Sequence, residues 1–335
     1  MVWDRGTMKR HAALLSLLAL PLACAGPSLN APSAAAAPSP NVLVFVTDDQ
    51  GYGDYGVHGN PVLETPRLDA FSAQCPKIER FYVSPVCAPT RASLMTGRYN
   101  YRTRAVDTYR GRAQMDTNEV TLAEVLGEAG YATGIFGKWH LGDAYPLRPM
   151  DQGFERSLVH GGGGLTQPAD PIGSGRRYTD PILFDDGQPV ATTGFCTDVY
   201  ADAAIEFIDE SLDSERPFFA YVATNAPHGP YHDVPEDLRA KYAAMDLEPQ
   251  ITGGGVDREA RILAMLENID GAFGRLLDHL AERDIERDTI VVFLSDNGPV
   301  WGRYNAGLRG FKSQPYEGGI RSPLWIRWPE RLSAD

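Results

Sequence analysis

The sequence predicts an α/β fold with a large, mostly parallel β-sheet flanked by helices. Continuous apolar runs that end in polar residues, such as "NVLVFVTDD" at residues 41–49, are typical of strands buried on both faces of a parallel sheet. Helical stretches lie between these runs along the chain. Because strands alternate with helices, we expect a layered sandwich in which ligands bind at the carboxyl ends of the strands.

Five apolar runs are predicted as strands: "NVLVFVTDD", "YATGIFG", "PFFAYVAT", "TIVVFLSDNG" and "SPLWIRW". A helix is predicted over residues 121–130, because Thr121 and Glu124 form a capping-box pattern and Gly130 can end it. A longer helix is predicted over residues 256–283, where apolar side chains recur on one stripe. These side chains are Ile262, Leu266, Ile269, Phe273, Leu276, Leu277 and Leu280.

The composition is that of an ordinary globular protein. The chain has 335 residues, of which 43% are hydrophobic and 22% charged, enough for a substantial core. The formal net charge of −13 excludes the basic footprint that nucleic acid or an anionic membrane requires. Any anionic ligand must therefore be held by a few local cations.

Residues 1–25 are predicted to be an export signal. Lys9 and Arg10 precede an apolar run at residues 12–23, which is too short to span a bilayer. We expect export to a bacterial envelope, with the mature protein in the periplasm, on the outer membrane as a lipoprotein, or secreted.

The end of this signal has two interpretations. Either the chain is cleaved after Ala25, or Cys24 is lipidated and becomes an anchor. The Pro/Ala/Ser-rich residues 26–40 are expected to be a tether in both cases. Residues 41–335 are then expected to form the folded domain.

Beyond the signal there are three cysteines, Cys75, Cys87 and Cys196. At most one pair can form a disulfide, and a domain of this size does not depend on one. The simplest interpretation of Cys87 is a partner for Cys75 or Cys196.

Four oxygen-bearing side chains follow two of the predicted strands. Asp48 and Asp49 come after the first strand, and Asp296 and Asn297 after the fourth. Each pair alone is also typical of a turn. If both pairs lie at one edge of the sheet, they offer only oxygen ligands, because no His/Cys set accompanies them. Such a set predicts a binding site for a hard cation such as calcium or magnesium.

Cations follow other predicted strands at the same edge. Lys138 and His140 come just after "YATGIFG", two residues apart, so both can face one side if the chain stays extended. His228 lies between two prolines, and Lys312 among glycines. Taken alone, an isolated histidine or lysine is more often structural or solvated than functional. The Gly/Pro-rich residues 161–177 are predicted to be a surface loop that could border a substrate cleft.

Cys87 lies at the predicted start of a short helix. Pro89 suits the first turn, Thr90 can form a hydrogen bond there, and Gly97 can end the helix. Anions bind and thiolates are favoured at the positive end of a helix. With Arg91 four residues on, the pattern indicates a reactive group that faces an anion.

Two long motifs resemble those of the sulfatase family. "CAPTRASLMTG" is similar to the first sulfatase motif, with Thr90 in place of the commoner serine, and "GYATGIFGKWHLG" is similar to the second. The family's order also holds, with Asp48 and Asp49 before these motifs and His228, "SDNG" and "LRGFK" after them. The resemblance covers residues 41–328 and implies an alkaline-phosphatase-like sandwich.

The resemblance implies that Cys87 is converted to formylglycine by a maturation enzyme. One hydroxyl of the aldehyde hydrate attacks the sulfur of a sulfate ester, and the alcohol or phenol leaves. The other hydroxyl then expels inorganic sulfate, a step that a plain serine sulfate could not take. The implied substrate is a sulfated carbohydrate or an aryl sulfate.

The resemblance also implies roles for the other residues. Asp48, Asp49, Asp296, Asn297 and an oxygen of modified residue 87 are the implied calcium ligands, with magnesium as the alternative ion. Arg91 and His140 would orient and activate the hydrate. Lys138, Lys312 and His228 would contact the sulfate, and His228 or Lys312 would protonate the leaving oxygen.

Family members commonly continue into a small C-terminal subdomain, and we expect it to be missing or truncated here, either because the gene product is short or because the sequence is a fragment. Two alternatives remain: a formylglycine-dependent phosphodiesterase or phosphonate hydrolase, and an inactive metal-containing glycan-binding protein. A zinc phosphatase would show more His/Asp ligands and a serine or threonine nucleophile. The intact set of Cys87, Arg91 and Lys312, among others, argues against loss of activity.

Overall fold

All five predicted strands are present in a computed structural model, which describes residues 39–165, 169–251 and 253–334. The strands within these ranges are β1 (Asn41–Thr47), β2 (Phe81–Tyr82), β3 (Ala132–Lys138), β4 (Arg156–His160), β5 (Ile182–Asp185), β6 (Gln188–Ala191), β7 (Phe218–Ala223), β8 (Thr289–Ser295), β9 (Arg321–Ser322) and β10 (Leu324–Arg327). The predicted export signal, residues 1–25 with Cys24, and nearly all of the tether lie outside the described residues.

The α-helices of the same ranges are α1 (Pro66–Ser72), α2 (Cys87–Thr96), α3 (Asn100–Thr103), α4 (Leu122–Glu128), α5 (Cys196–Asp213), α6 (Glu236–Ala243), α7 (Val256–Glu282) and α8 (Glu317–Ile320). Both predicted helices are confirmed, as α4 and α7. Thr121 caps α4 in a complete capping box with Glu124. The predicted stripe of α7 is buried, apart from the half-buried Leu277. None of the helices in the described part of the chain is long and apolar enough to cross a membrane.

Eight strands form one sheet in the order β10-β8-β1-β7-β3-β4-β5-β6, and β2 pairs with β9 separately. The five strands from β8 to β4 are mutually parallel, whereas β10, β5 and β6 pair antiparallel at the two sides. The prediction of a mostly parallel sheet is therefore confirmed. This order places the carboxyl ends of β8, β1, β7 and β3 side by side.

The central strand β1 is apolar throughout because both of its faces are covered. Leu43 and Phe45 belong to the core under α1, α5 and α7, whereas Val44 and Val46 belong to the core under α2 and α4. Phe45 packs edge-on against Phe273 of α7, with ring centroids 5.2 Å apart. Each such buried side chain stabilises the fold by about 1.5–3 kcal/mol. The carboxyl end of β1 is thus held rigidly beneath the site.

Candidate active site

Polar side chains collect at the carboxyl ends of four neighbouring strands, as the sequence predicts. They are Asp48 and Asp49 after β1, Lys138 and His140 at and beyond the end of β3, His228 after β7, and Asp296 and Asn297 after β8. All are buried except His228, which is about one-quarter exposed at 23%. Lys312, from the loop after β8, joins this group through Asp49.

Cys87 is the first residue of α2, and Gly97, with a φ of 65°, ends that helix as predicted. The hydroxyl of Thr90 accepts a hydrogen bond of 2.9 Å from the Ser84 amide, which fixes the chain entering the helix. The Cys87 side chain is 1% exposed, and burial raises the pKa of its thiol despite the opposing effect of nearby Lys138. A thiolate is therefore not favoured at Cys87, contrary to the prediction, because burial outweighs the charges of Lys138 and Lys312.

The interpretation of Cys87 as a disulfide partner is also wrong. Cys75, Cys87 and Cys196 are all free and buried. Within the part of the chain that the structure describes, Cys87 thus has no covalent partner, and its side chain is available for the site.

The His140 ring is oriented by a backbone carbonyl. Its Nε2 lies 3.3 Å from the Thr108 oxygen, and since a carbonyl only accepts, Nε2 carries the proton. Nδ1 is then an acceptor, and it lies 3.4 Å from Cys87 Sγ. Burial lowers the pKa of His140, and Lys138 and Arg91 lower it further, so the ring is neutral. His140 is positioned to take a proton from residue 87.

The chain from Lys138 to His140 is predicted to be extended, and this prediction is wrong at His140. His140 has a φ of 62°, in the left-handed region, so the backbone turns there. Trp139 between them is buried and donates from Nε1 to the Leu147 carbonyl at 2.8 Å. Lys138 and His140 nevertheless reach the same site, and neither is solvated.

Two buried ion pairs fix the acidic groups. Lys138 Nζ lies 2.5 Å from Asp48 Oδ2, and Arg91 Nη2 lies 2.8 Å from Asp296 Oδ2. Arg91 Nη1 also donates to the Lys138 carbonyl at 2.9 Å. Removing one partner of a buried pair typically costs ~3–5 kcal/mol. Arg91 therefore acts on the site through Asp296 and the end of β3.

Lys312 and His228 both face Asp49. Lys312 Nζ lies 2.5 Å from Asp49 Oδ1; burial opposes its charge, but Asp49 and the neighbouring acids raise the pKa of Lys312 well above its usual value. Burial lowers the pKa of His228 to about 4. His228 Nδ1 lies 2.7 Å from the Gly229 carbonyl, so Nδ1 carries the proton and Nε2 is an acceptor.

The donor set fits a hard cation. Among the described residues, Asp48 Oδ1, Asp49 Oδ2 and Asn297 Oδ1 are buried oxygens of this cluster with no hydrogen-bond partner. Burial and Asp296 raise the pKa of Asp48 to about 8, as expected where carboxylates are crowded. Asp48, Cys87 and Asp296 can each bring one ligand atom within 4.8 Å of the others. Oxygen-rich sets of this kind suit calcium or magnesium.

Residues 161–177 are only partly the surface loop that the sequence predicts. Residues 161–165 are buried, and a Cβ on Gly164 would lie 2.8 Å from His228 Cε1. The glycines allow the backbone to approach the site this closely. Arg176 and Arg177, further along, are exposed.

Sequence reasoning missed three residues that support the site. Arg303 and Asp54 form a buried pair beside the acidic turn, with Arg303 Nε 3.0 Å from Asp54 Oδ1. For Asp54 the sequence held only a weak indication of a role in the site, namely its place in the same Gly-rich turn as Asp49. Thr108 contributes only its carbonyl, which no side-chain motif reveals.

Comparisons with known proteins agree with the predicted family. The sulfatase family model matches residues 40–334. N-acetylgalactosamine-6-sulfatase from Canis lupus familiaris is 33% identical over 331 residues, which cover 90% of this chain and 59% of that protein. Arylsulfatase A from Homo sapiens is 32% identical over 328 residues, covering 89% and 61%. The chain thus spans about three-fifths of the length of these relatives.

A solved structure, Ps i-CgsB in complex with k-i-k-neocarrahexaose, superposes with a TM-score of 0.77 at 28% identity. The match covers 89% of this chain and 67% of that one. The predicted alkaline-phosphatase-like sandwich is therefore confirmed. The region matched by the family model contains every residue of the cluster described above. The chain belongs to the sulfatase family.

Proposed function

We propose that the chain hydrolyses sulfate esters and releases inorganic sulfate with an alcohol or phenol. The observation that carries this proposal is the position of residue 87. It lies at the start of α2, with the unprotonated Nδ1 of His140 3.4 Å from its side chain. The buried Lys138 and the partly exposed Lys312 are nearby. A nucleophile, its base and cations for an anionic group therefore share one edge of the sheet.

We further propose that Cys87 is the modified residue, converted to formylglycine by a maturation enzyme. The raised pKa of the Cys87 thiol supports this, because a buried, protonated thiol is a weak nucleophile. Formylglycine supplies an aldehyde whose hydrate carries two hydroxyl groups at this position. His140, neutral and proton-free at Nδ1, takes a proton from a hydroxyl of residue 87.

The proposed cation is calcium, with magnesium as the alternative. Asp48, Asp49, Asp296, Asn297 and an oxygen of modified residue 87 would hold it. When bound, the ion supplies positive charge for anionic oxygens of the nucleophile and the sulfate. The chain's own contribution is to hold these ligands in place, through Lys138 on Asp48 and Arg91 on Asp296.

Lys138, Lys312 and His228 are proposed to contact the sulfate group. Between the two candidate proton donors, the geometry favours Lys312. The neutral His228 ring presents an acceptor at Nε2, whereas Asp49 keeps Lys312 protonated. Lys312 therefore donates the proton to the departing oxygen, and His228 orients that oxygen.

The proposed substrate is a sulfated carbohydrate or an aryl sulfate. The names of the N-acetylgalactosamine-6-sulfatase and arylsulfatase relatives support both classes. We also propose export to a bacterial envelope, with signal cleavage after Ala25 or a lipid anchor at Cys24, on the basis of the N-terminal sequence.

The test is to produce the chain with a formylglycine-generating enzyme and to measure release of 4-nitrophenolate from 4-nitrophenyl sulfate, from the diester bis(4-nitrophenyl) phosphate and from a 4-nitrophenyl phosphonate, together with release of sulfate from the first. We expect sulfate release, and peptide mass spectrometry should show residue 87 about 18 Da lighter than cysteine, as conversion of the thiol to an aldehyde requires. Cys87→Ala should abolish turnover and, since no disulfide is lost, preserve the fold.

Three outcomes would contradict the proposal. A strong preference for the phosphate diester or the phosphonate over the sulfate ester would identify a phosphodiesterase or phosphonate hydrolase. Binding of sulfated glycans without turnover by the modified protein would identify an inactive binding protein. An unmodified thiol in active enzyme would refute the role of formylglycine.

A further inference from the structure

A pocket of about 360 Å³ lies directly beside the His140 ring. His140 forms one wall, and the turn from Thr108 to Gly111 forms another. Gly161 and Gly162 also line it, so this part of the wall is backbone without side chains. Since His140 contacts residue 87, a group in this pocket would be adjacent to the reacting ester.

The turn has a defined backbone conformation. The amides of Val106 and Asp107 both donate to the Arg112 carbonyl, at 2.9 and 3.1 Å, and the Arg112 amide donates to the Tyr109 carbonyl at 3.0 Å. Arg110 at its tip has a φ of 53°, which is unfavourable for a residue other than glycine. Such strain often accompanies a functional constraint. Here it presents Arg110 at the wall of the pocket.

Arginine is concentrated around this turn although the chain is acidic overall. Residues 98–112 contain five arginines and one acid, in a chain of net charge −13. Three of the arginines are already paired with carboxylates: Arg98 with Glu119, Arg104 with Asp116, and Arg112 with Asp107. The positive charge of each of these three arginines is therefore neutralised by a neighbouring carboxylate.

Arg110 is different from these three. Within the ranges that the structure describes, it has no carboxylate partner, and its guanidinium lies 5.7 Å from the ring centroid of its neighbour Tyr109. Both side chains are exposed, and both line the pocket. An arginine without an acid partner, beside a catalytic base, offers a planar donor group to a second anion.

We propose that Arg110 is a specificity-determining residue that binds a second anionic group of the substrate, a sulfate or a carboxylate on the same sugar ring or the next. This inference rests on the proposed sulfatase function and narrows its substrate class to sulfated sugars with at least two acidic groups. Tyr109 supplies an apolar face for the sugar. Asp143, which also lines the pocket, accepts hydrogen bonds from sugar hydroxyls.

Arg110 could instead affect turnover only through the backbone, because Thr108 of the same turn holds His140. The two roles make different predictions. An effect through His140 lowers turnover of every sulfate ester in the same proportion, since the base acts on all of them. Loss of a contact with a second anion lowers turnover of substrates with two anionic groups selectively.

The test compares kcat/KM for N-acetylgalactosamine 6-sulfate with that for N-acetylgalactosamine 4,6-disulfate and for a uronate-containing 6-sulfated disaccharide. We expect at least a tenfold preference for one of the substrates with two anionic groups. Arg110→Gln should reduce this preference to twofold or less, and Arg110→Lys should retain part of it. Arg104→Gln, an exposed and ion-paired arginine outside the pocket, should leave both the preference and the turnover within twofold.

Equal turnover of the three sugars by the unaltered enzyme would overturn the inference, as would a proportional loss with all three in Arg110→Gln. Calorimetric affinities of the same sugars for Cys87→Ala and for Cys87→Ala/Arg110→Gln provide a readout that does not need turnover. If no sulfate is released from any ester, the proposed function fails. The inference then stands or falls on whether Arg110→Gln removes tighter binding of the sugars with two anionic groups.

Discussion

Arg303 donates a hydrogen bond of 3.0 Å from Nη2 to the backbone carbonyl of Asp49. The same guanidinium binds Asp54, whose Oδ2 in turn accepts the Gly51 amide at 2.7 Å. Asp49 has a φ of 63°, an unfavourable conformation for a residue with a side chain. Arg303 is therefore a positioning residue, which holds the turn that presents Asp49 to the site.

The first prediction concerns this contact. Arg303→Met should lower the free energy of unfolding by ~3–5 kcal/mol, because it leaves Asp54 buried and unpaired. It should also weaken calcium binding at least tenfold, measured by calorimetry. The double variant Arg303→Met/Asp54→Asn removes the unpaired charge and should recover stability but not calcium affinity. Arg287→Met, which alters an exposed arginine, is the control. Unaltered calcium affinity in the double variant would contradict the positioning role.

The second prediction concerns the cation itself. Calcium at 100 times its dissociation constant should raise the free energy of unfolding by about 2.7 kcal/mol, through binding to the folded state alone. Asn297→Ala, which removes one of the unpartnered buried oxygens, should reduce that gain, whereas Asp278→Asn at the surface should not. Thermal unfolding with and without calcium measures both. A gain from magnesium that exceeds the gain from calcium would reverse the assignment of the ion.

Most of the site could be predicted from sequence because, in this fold, a residue that directly follows a parallel strand lies at a known edge of the sheet. Parallel strands end at one edge, so Asp48, Lys138 and Asp296, each at the end of a buried apolar run, had to lie together. Cys87 could be placed for a similar local reason, since Pro89 and Gly97 delimit its helix.

The residues that sequence reasoning misplaced depend on tertiary contacts. Burial reversed the expected pKa shift of Cys87, and burial is a property of the whole fold. The Thr108 carbonyl contacts His140 only because a distant turn folds back on it. Gly164 lies in a segment whose composition is typical of a surface loop, yet it packs against His228. No local pattern reports such contacts.

The third prediction separates the roles of Lys312 and His228. A sugar alkoxide needs a proton to leave, whereas 4-nitrophenolate does not, so general acid catalysis matters only for the sugar. Lys312→Met should lower kcat for a sugar sulfate by about 10²–10⁴, and the loss for 4-nitrophenyl sulfate should be at least tenfold smaller. His228→Ala should affect the two substrates more evenly. Equal losses for both substrates in Lys312→Met would assign the proton to another group.

The fourth prediction concerns Glu259 in the first turn of α7. Burial raises the pKa of Glu259 to about 7 despite the opposing charges of Arg303 and Arg258, and Asp54 adds to the increase. Between the usual pKa of 4.5 and about 7, the folded state therefore holds more protons than the unfolded state, so stability falls as pH rises.

Glu259→Gln should remove this pH dependence. Relative to the variant, the unaltered protein should lose up to about 3 kcal/mol of unfolding free energy between pH 4.5 and 7. Urea denaturation at several pH values measures the difference, with the exposed Glu282→Gln on the same helix as the control. A difference that does not change with pH would show that Glu259 is not held in its protonated form.

Cys87 leaves solvent as the chain folds, so the proposed maturation enzyme, which must reach its Cβ, can act only before folding. The site closes when β1 pairs with strands far along the chain, Val42 with Phe219 and Ile290. Such non-local pairings form slowly and require most of the chain. With the proposed chemistry, whether a chain is active depends on which happens first during synthesis, modification of Cys87 or folding. A chain that is modified and then folds becomes an enzyme, whereas a chain that folds first keeps the same structure and stays inactive.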